Sequence, residues 1–225
     1  MATLPPPITA TFLPNWKGFF RVYFRTWSGM PECPPGCPFH VEERTLKLCL
    51  SSILCSFLLP CSAVAGVLVP LEEQDRSRWS RPQIDEGLEV LDHAVALARR
   101  GPYQVQAAIV ALHARAATPA DTDWRQIAAL YGTLSIMHPS PVVQLNHAVA
   151  VAMAEGPAVG LRLLDALEQS GTLRAYHLLP AARADLHRRA GQRSEAARAY
   201  EAAIALTTNE GERAYLRRRL VELAH

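Results

Sequence analysis

The chain lacks a marked excess of charge of either sign. Of its 225 residues, 23 are Lys or Arg and 21 are Asp or Glu, which gives a formal net charge of +2. Proteins that bind nucleic acid usually carry a clear basic excess, so direct DNA binding is not expected here. Hydrophobic residues make up 49% of the sequence, which is enough for a packed core, so we expect a folded protein.

Cysteine is absent after Cys61, and all five cysteines lie between Cys33 and that residue. An odd number of cysteines without partners elsewhere disfavours a disulfide framework and favours a reducing, cytoplasmic environment. The N-terminus also lacks the features of a secretory signal, because no basic residue precedes Lys17 and prolines occupy positions 5–7. We therefore expect a cytoplasmic protein without a targeting peptide.

The sequence also lacks the motifs of common catalytic sites. Its eight histidines are scattered, with no His-x3-His or His-Glu-x2-His spacing that would place two metal ligands on one helical face. No Gly-x-Ser-x-Gly elbow or phosphate-binding glycine loop is present. We assign no catalytic, cofactor-binding or metal-binding residue, and we predict that the protein is not an enzyme and needs no cofactor.

One short segment has the residue types of a zinc site. Cys33, Cys37 and His40 are closely spaced, and Cys49 follows as a possible fourth ligand. Thiolates and imidazoles at short spacing can close a tetrahedral site around Zn²⁺. The residues between the first two cysteines, Pro-Pro-Gly at 34–36, suit an ordinary turn. The pattern favours the turn over the metal site.

Composition divides the chain into two parts. Ten of the 17 prolines and every cysteine precede Leu71, whereas the remainder is rich in Ala, Leu and Arg. We predict a boundary that leaves residues 1–66 as an unassigned Pro- and Cys-rich segment and residues 67–225 as a helical-repeat domain. Residues 48–71 carry no charge and are long enough to span a membrane. Four serines and two prolines interrupt this stretch, so we favour a buried or poorly ordered segment.

Residues typical of helix starts and ends predict eight helices in the second part of the chain. Ser80 and Gln83 form a capping-box pattern before the first helix, which should end at Gly101. Its apolar stripe is Ile84, Leu88, Leu91, Val95 and Ala98. The later helices are expected to start at Pro102, after the 118–123 turn, at Pro141, after Gly156, near Leu178, near Ser194 and near Glu210.

Small residues recur where paired helices must approach closely. The last complete pair has small or aromatic residues at the positions typical of a tetratricopeptide repeat, namely Ala184, Gly191, Ala196, Tyr200 and Ala203. A less complete copy is formed by Ala148, Gly160, Leu164 and Leu167. A helix pair that is apolar on both sides needs neighbours to cover it. We predict an all-α fold of antiparallel helix pairs stacked as a short tetratricopeptide-like solenoid.

An ordered series of sequence blocks resembles a known family. The blocks are LEEQDRSRWSR, GPYQVQAAIVALHA, DTDWRQIAALY, PSPVVQLNHAVAVAMAEGPAVGL, YHLLPAARADLHRRAG and NEGERAYLRRRL. Together they resemble the tetratricopeptide-like C-terminal extension of a group of extracytoplasmic-function RNA polymerase sigma factors, over residues 67–225. In that family the extension follows two small domains that recognise the promoter, one of them through a helix-turn-helix. Residues 1–66 match neither, so we expect no promoter recognition by this chain alone.

Three groups of polar residues could contact a partner. Asn146 lies on the apolar stripe of its helix, where its amide could bind a peptide or, as we favour, pair with a nearby backbone group. A polar segment before the first helix could dock sigma domains or form an ordinary helix-start loop, and it contains Asp75, Arg76, Arg78 and Trp79. The last helix is locally basic, with Arg213, Arg217, Arg218 and Arg219. Intervening glutamates favour a solvated face over a phosphate site.

The resemblance implies a regulatory, protein-binding module that acts in transcription initiation. Its expected partners are sigma-factor domains, core RNA polymerase or both. A freestanding tetratricopeptide-like interaction scaffold is the alternative. A membrane-tethered adaptor is a third possibility that depends on residues 48–71 alone.

Overall fold

Helices are the only regular elements in the part of the chain that the structure describes. The computed structural model describes residues 69–97 and 101–224, and these contain eight α-helices and no strand. The helices are α1 (Arg81–Ala96), α2 (Pro102–Arg115), α3 (Trp124–Met137), α4 (Pro141–Glu155), α5 (Pro157–Gln169), α6 (Leu178–Arg189), α7 (Arg193–Leu206) and α8 (Glu210–Glu222). Single 3-10 turns occur at Leu71–Glu73, Arg76–Arg78 and Pro119–Asp121. The predicted segment 1–66 lies outside the described residues.

Neighbouring helices pack against each other in a series. Contacts are most extensive between α3 and α4, between α4 and α5, and between α6 and α7. Short connections reverse the chain between consecutive helices, so each pair packs antiparallel. The helix α4 also contacts α6, which places the pairs side by side. The all-α prediction is confirmed, and we refer to α1–α8 as the array.

The core is divided into four clusters along the array. The helices α2, α4 and α6 each contribute to two successive clusters, so each is covered on both sides by neighbours. Trp124, at the start of α3, touches three of the four clusters. Its indole therefore joins hydrophobic groups that would otherwise be separate. This arrangement is expected of stacked helix pairs, each of which needs a neighbour to cover its apolar face.

Two of the polar N-caps form hydrogen bonds. Asp123 Oδ1 accepts from the Gln126 amide at 2.9 Å, and Asn209 Oδ1 accepts from the Glu212 amide at 3.1 Å. Ser80 occupies the N-cap position of α1, as predicted, but its side chain makes no capping hydrogen bond. The predicted capping box is therefore wrong. Pro82, at the second helical position, has no N–H to offer.

The end of α1 also differs from the prediction. The helix ends at Ala96 instead of Gly101, and Val95 is 52% exposed. The buried face is formed by Ile84, Gly87, Leu91 and Ala94. This face is rotated relative to the predicted stripe, so Val95 falls at its edge in the last turn. Ala98, also placed on that stripe, lies outside the described residues.

Four of the five predicted repeat positions form one buried cluster between α6 and α7. Ala184, Ala196, Tyr200 and Ala203 pack together there with Tyr215 and Leu216 of α8. Gly191 is different, because it is exposed and lies in the turn between the two helices. Its φ of 74° is in the left-handed region that favours glycine. Its role is to reverse the chain and not to fill the interface.

The less complete copy of the repeat is also buried, at the interface of α4 with α5. Leu164 and Leu167 belong to the cluster shared with Ala148. A Cβ atom added to Gly160 would lie 2.3 Å from the Ala152 Cβ and 2.8 Å from the Ala148 carbonyl oxygen. No real side chain tolerates such distances without movement of the backbone. Glycine at this position therefore permits the close approach of the two helices.

Candidate interaction site

A polar segment before α1 forms a strap across the array. The strap comprises residues 70–79 and consists of the 3-10 turns Leu71–Glu73 and Arg76–Arg78 with an extended link between them. Leu71 and Trp79 are buried against residues of α1 and α2. Two apolar anchors, one near each end, therefore hold the strap on the first helix pair.

Arg76 ties the strap to the end of α2. Its guanidinium donates to the carbonyl oxygen of Ala116, the C-cap residue of that helix, and stacks over Trp79 with 4.7 Å to the ring centroid. A carbonyl at a helix C-terminus has no partner within the helix, so Arg76 satisfies a group that would otherwise need water. Burial lowers the pKa of Arg76 to about 10. The residue is still protonated at neutral pH.

The remainder of the predicted polar group is a local turn. Asp75 Oδ1 accepts from the Ser77 amide at 3.0 Å and from its hydroxyl at 2.6 Å, which closes the second 3-10 turn. Arg78 is exposed. Asp75, Arg76 and Trp79 therefore stabilise the approach to α1, as expected of a helix-start loop. The same segment also forms contacts with distant helices, but these helices belong to its own chain.

The two glutamates of the strap form ion pairs with the far end of the array. Glu72 Oε2 accepts from Arg189 Nη2 of α6 at 2.9 Å, and its Oε1 lies 3.4 Å from Arg219 Nη2 of α8. Glu73 accepts from Arg219 Nη2 at 2.6 Å and from Arg218 Nη2 at 3.0 Å. These partners are 117 to 147 residues away in the sequence. We call Arg189, Arg218 and Arg219 the arginine site.

Side chains of α6 and α8 hold two of the three arginines of the arginine site from the side opposite the strap. Arg189 Nε donates to Asp185 Oδ2 at 2.6 Å, which leaves Nη2 for Glu72. Arg219 Nε donates to the Tyr215 hydroxyl at 3.0 Å and Nη1 to Glu222 at 2.8 Å, which leaves Nη2 for the strap. Each guanidinium thus has one edge held by the array and another presented to a carboxylate, the geometry of strong charge-assisted hydrogen bonds.

The electrostatics of the site follow from this geometry. Burial alone would lower the pKa of Arg189, but Asp185 and Glu72 raise it above its ordinary value. Burial likewise opposes the charge of Arg219, and the contacts with Tyr215, Glu222 and Glu73 outweigh it and raise the pKa. Both residues are therefore charged at neutral pH. The carboxylates are therefore an integral part of the site.

One short stretch of the strap contacts three helix ends. Arg76 lies four positions after Glu72, and an extended backbone of that length spans at most about 14 Å. Arg76 contacts the end of α2, and Glu72 and Glu73 contact the last turns of α6 and α8. The ends of α2, α6 and α8 therefore lie within reach of the side chains of this one stretch.

The basic residues of α8 do not form a free phosphate site. Arg213 pairs with Glu210 and donates to the Thr207 carbonyl oxygen at 2.6 Å, while Arg218 and Arg219 pair with the strap and with Glu222. Arg217 is the one member of the predicted group that is exposed. Most of the helix's positive charge is matched by carboxylates of the same chain. The solvated face that we favoured from the sequence describes Arg217 alone, since Arg219 is buried and Arg213 and Arg218 are partly buried.

Asn146 fits neither sequence-based interpretation. The residue is fully buried (0% exposed), so it offers no surface to a peptide. Neither atom of its amide has a hydrogen-bond partner within the described residues, so the favoured pairing with a backbone group is wrong. The periodicity correctly placed Asn146 facing inward.

A buried polar contact at the start of α8 was not predicted. Glu212 accepts from the Thr207 hydroxyl at 2.9 Å, and its Oε2 lies 2.9 Å from His177 Nε2, at the N-cap position of α6. The contact therefore links the beginnings of α6 and α8. A glutamate three residues after Asn209 is ordinary for a helix start, so the sequence carried no signal of its burial.

The zinc and membrane interpretations fall largely outside the described residues. Cys33, Cys37, His40 and Cys49 all lie there, as does 48–68 of the uncharged stretch. Within 69–97 and 101–224, no three His, Cys, Asp or Glu residues are grouped so as to hold a metal ion. Over the same residues, no helix has both the length and the apolar character needed to cross a bilayer.

Comparison with known proteins shows a similar sequence in a longer protein. An uncharacterized protein of Rhizobium meliloti (strain 1021) is 48% identical over 159 residues, which are 71% of this chain and 37% of that protein. The matched part is thus a little over a third of the relative's length. No family model and no solved structure matches the chain.

Proposed function

We propose that this chain carries the C-terminal regulatory module of an extracytoplasmic-function RNA polymerase sigma factor and acts by binding protein during transcription initiation. Its partners would be the promoter-recognising sigma domains, core RNA polymerase or both, in the cytoplasm. The sequence blocks between residues 67 and 225 support the proposal through their resemblance to that family. Because the motifs of common catalytic sites are missing, we further propose that the module has no enzymatic activity.

The observation that carries the proposal is the strap. Residues immediately before the array are built into its fold by Leu71, Trp79 and the ion pairs of Glu72 and Glu73. A domain joined directly to the start of the strap would therefore begin near the ends of α2, α6 and α8. Such a junction suits a module that controls the domains preceding it. The longer relative is consistent with a module of this kind within a larger protein.

Run-off transcription with purified components tests the proposal. Three mixtures contain promoter DNA and core RNA polymerase with the chain alone, with a sigma fragment that lacks its own extension, or with both. We expect no specific transcript from the first mixture, because residues able to capture unstacked bases or to place a recognition helix in the major groove are missing from the sequence. We expect the third mixture to differ in yield from the second.

Two results would contradict the proposal. A specific transcript from core polymerase and the chain alone would show that this chain recognises promoters. Equal yields from the second and third mixtures, together with no binding of the chain to sigma domains or polymerase in a pull-down, would favour the freestanding scaffold instead.

A further inference from the structure

All three arginines of the arginine site belong to helices of the array and none to the strap. Arg189, Arg218 and Arg219 belong to α6 and α8, and the groups that orient the two more buried of them, Asp185, Tyr215 and Glu222, belong to the same helices. Glu72 and Glu73 accept from the guanidinium nitrogens that these groups leave available. The arginine site and the two glutamates thus come from separate parts of the chain, as a binding site and its ligand would.

The charges of the site match two carboxylates. Besides the exposed Arg217, four arginines lie on these last turns, since Arg188 also pairs with Asp185. The array supplies two carboxylates among them, those of Asp185 and Glu222. This leaves an excess of two positive charges, which the two glutamates of the strap neutralise. The interspersed carboxylates would repel a polyanion, so the chemistry favours a short acidic peptide over nucleic acid.

We propose that the arginine site is a docking site for a protein segment that presents two adjacent carboxylates, and that Glu72 and Glu73 are its built-in occupant. A partner binds by displacing the glutamates of the strap, while Trp79 and Arg76 keep the strap anchored to the first helix pair. This inference rests on the proposed function only in that the module binds protein. It names the surface and the partner chemistry, which the resemblance to sigma factors does not supply.

Competition within the chain sets the expected affinities. A tethered segment competes at an effective concentration on the order of millimolar, so the strap should keep the site occupied in the wild-type chain. The substitution E72Q/E73Q in the full chain removes both strap carboxylates and leaves the arginines in place. The probe is a fluorescently labelled peptide with the sequence of residues 69–80, measured by fluorescence anisotropy. We expect its Kd to be at least about tenfold lower for the variant than for the wild-type chain.

Matched variants distinguish the site from general charge effects. The full-chain variant E86Q/E89Q removes two exposed glutamates of α1 and should bind the peptide as wild type does. Adding Arg219→Gln or, separately, Arg218→Gln to E72Q/E73Q should abolish the gain in affinity. A peptide with Gln at both glutamate positions should bind no better to E72Q/E73Q than to the wild-type chain.

Hydrogen exchange gives a second measurement that requires no variant. The amides of Glu73 and Gln74 donate to carbonyl oxygens within the first 3-10 turn of the strap. Excess unlabelled 69–80 peptide should reduce their protection in the wild-type chain and leave α6 and α8 protected. This measurement decides the question if E72Q/E73Q does not fold.

Three results would overturn the proposal. The first is equal affinity of the peptide for the wild-type chain and a folded E72Q/E73Q variant. The second is a gain in affinity that survives the removal of Arg218 or Arg219. The third is displacement of the peptide by a single-stranded oligonucleotide of equal charge as readily as by unlabelled peptide, which would identify a general polyanion surface. These assays contain no polymerase or sigma domain, so their outcome is independent of the transcription assay. Either proposal can therefore be contradicted while the other is supported.

Discussion

His113 should make the stability of the fold depend on pH. The residue lies on α2, where it is 3% exposed, and its ring meets Trp124 edge-on with 6.3 Å between centroids. Burial, and in addition the positive charge of Arg76, lower the pKa of His113 to about 3. In an unfolded chain a histidine has a pKa of about 6.5. Between these values His113 is neutral in the folded protein and protonated in the unfolded one.

The direction and size of the effect follow from this difference. In the window from about pH 6.5 down to pH 3 the unfolded chain binds one proton more than the folded chain, so the free energy of unfolding falls as the pH falls. Above pH 6.5 His113 is neutral in both states, so the free energy of unfolding is not reduced there by its protonation. Each pH unit well inside the window corresponds to about 1.4 kcal/mol. Between pH 7 and pH 5, His113 should therefore reduce the free energy of unfolding by about 2 kcal/mol.

Urea unfolding at pH 7, 6 and 5 measures this contribution. His113→Gln removes the titrating group and keeps a polar side chain of similar size. We expect the wild-type chain to lose about 2 kcal/mol more than the variant between pH 7 and pH 5. His93→Gln, which replaces an exposed imidazole of α1, is the control and should follow the wild type. Parallel pH dependence of the wild type and His113→Gln would refute the assignment of the effect to this residue.

Two substitutions test the packing of the array by thermal unfolding. Ala203→Arg would force a charged side chain into a position that is 0% exposed and should lower the free energy of unfolding by several kcal/mol. Ala205→Arg, on the exposed side of α7, is the control and should cost little. Equal melting temperatures of the two variants would show that the register of α7 is wrong. Gly160→Ala should cost about 1–3 kcal/mol because its Cβ has no room. Gly132→Ala, another helical glycine but with its nearest neighbour at 3.7 Å, should not destabilise, so a similar loss in both would contradict a special close approach at Gly160.

The helices could be predicted from the sequence because the hydrophobic periodicity and the residues typical of helix starts and ends indicate the same boundaries. Asp123 as a cap, Pro141 at a first helical position and Gly191 in a turn each specify a local conformation that needs no distant partner. The pattern of apolar residues on one face was less informative about which residues of α2 are buried. That helix is buried on most of its surface, including Gln106 and His113, because helices and the strap cover it on several sides. Amphipathic periodicity describes a helix with one solvated face, so it underestimates the burial of an interior one.

The arginine site could not be predicted from the sequence. Its glutamates and arginines are visible as charges, but which of them meet depends on how the helices of the whole array pack. The segment LEEQDRSRW carries both signs of charge, and so does α8, so many pairings satisfy the composition equally well. Only the folded chain brings Glu72 to Arg189 and Glu73 to Arg218. The density of arginine in α8 therefore gave no reliable indication of a free basic surface.

The strap changes how the array responds as a whole. In a simple solenoid each repeat contacts only its neighbours, so the last helix can loosen without consequence for the first. Here Trp79 packs on the first pair, and Glu73 pairs with Arg219 of the last helix. Opening of α8 therefore costs contacts with a segment anchored at the other end. By the same reasoning, a ligand that takes the arginine site would first remove the contacts of Glu72 and Glu73, and with them the link between the strap and the last helix.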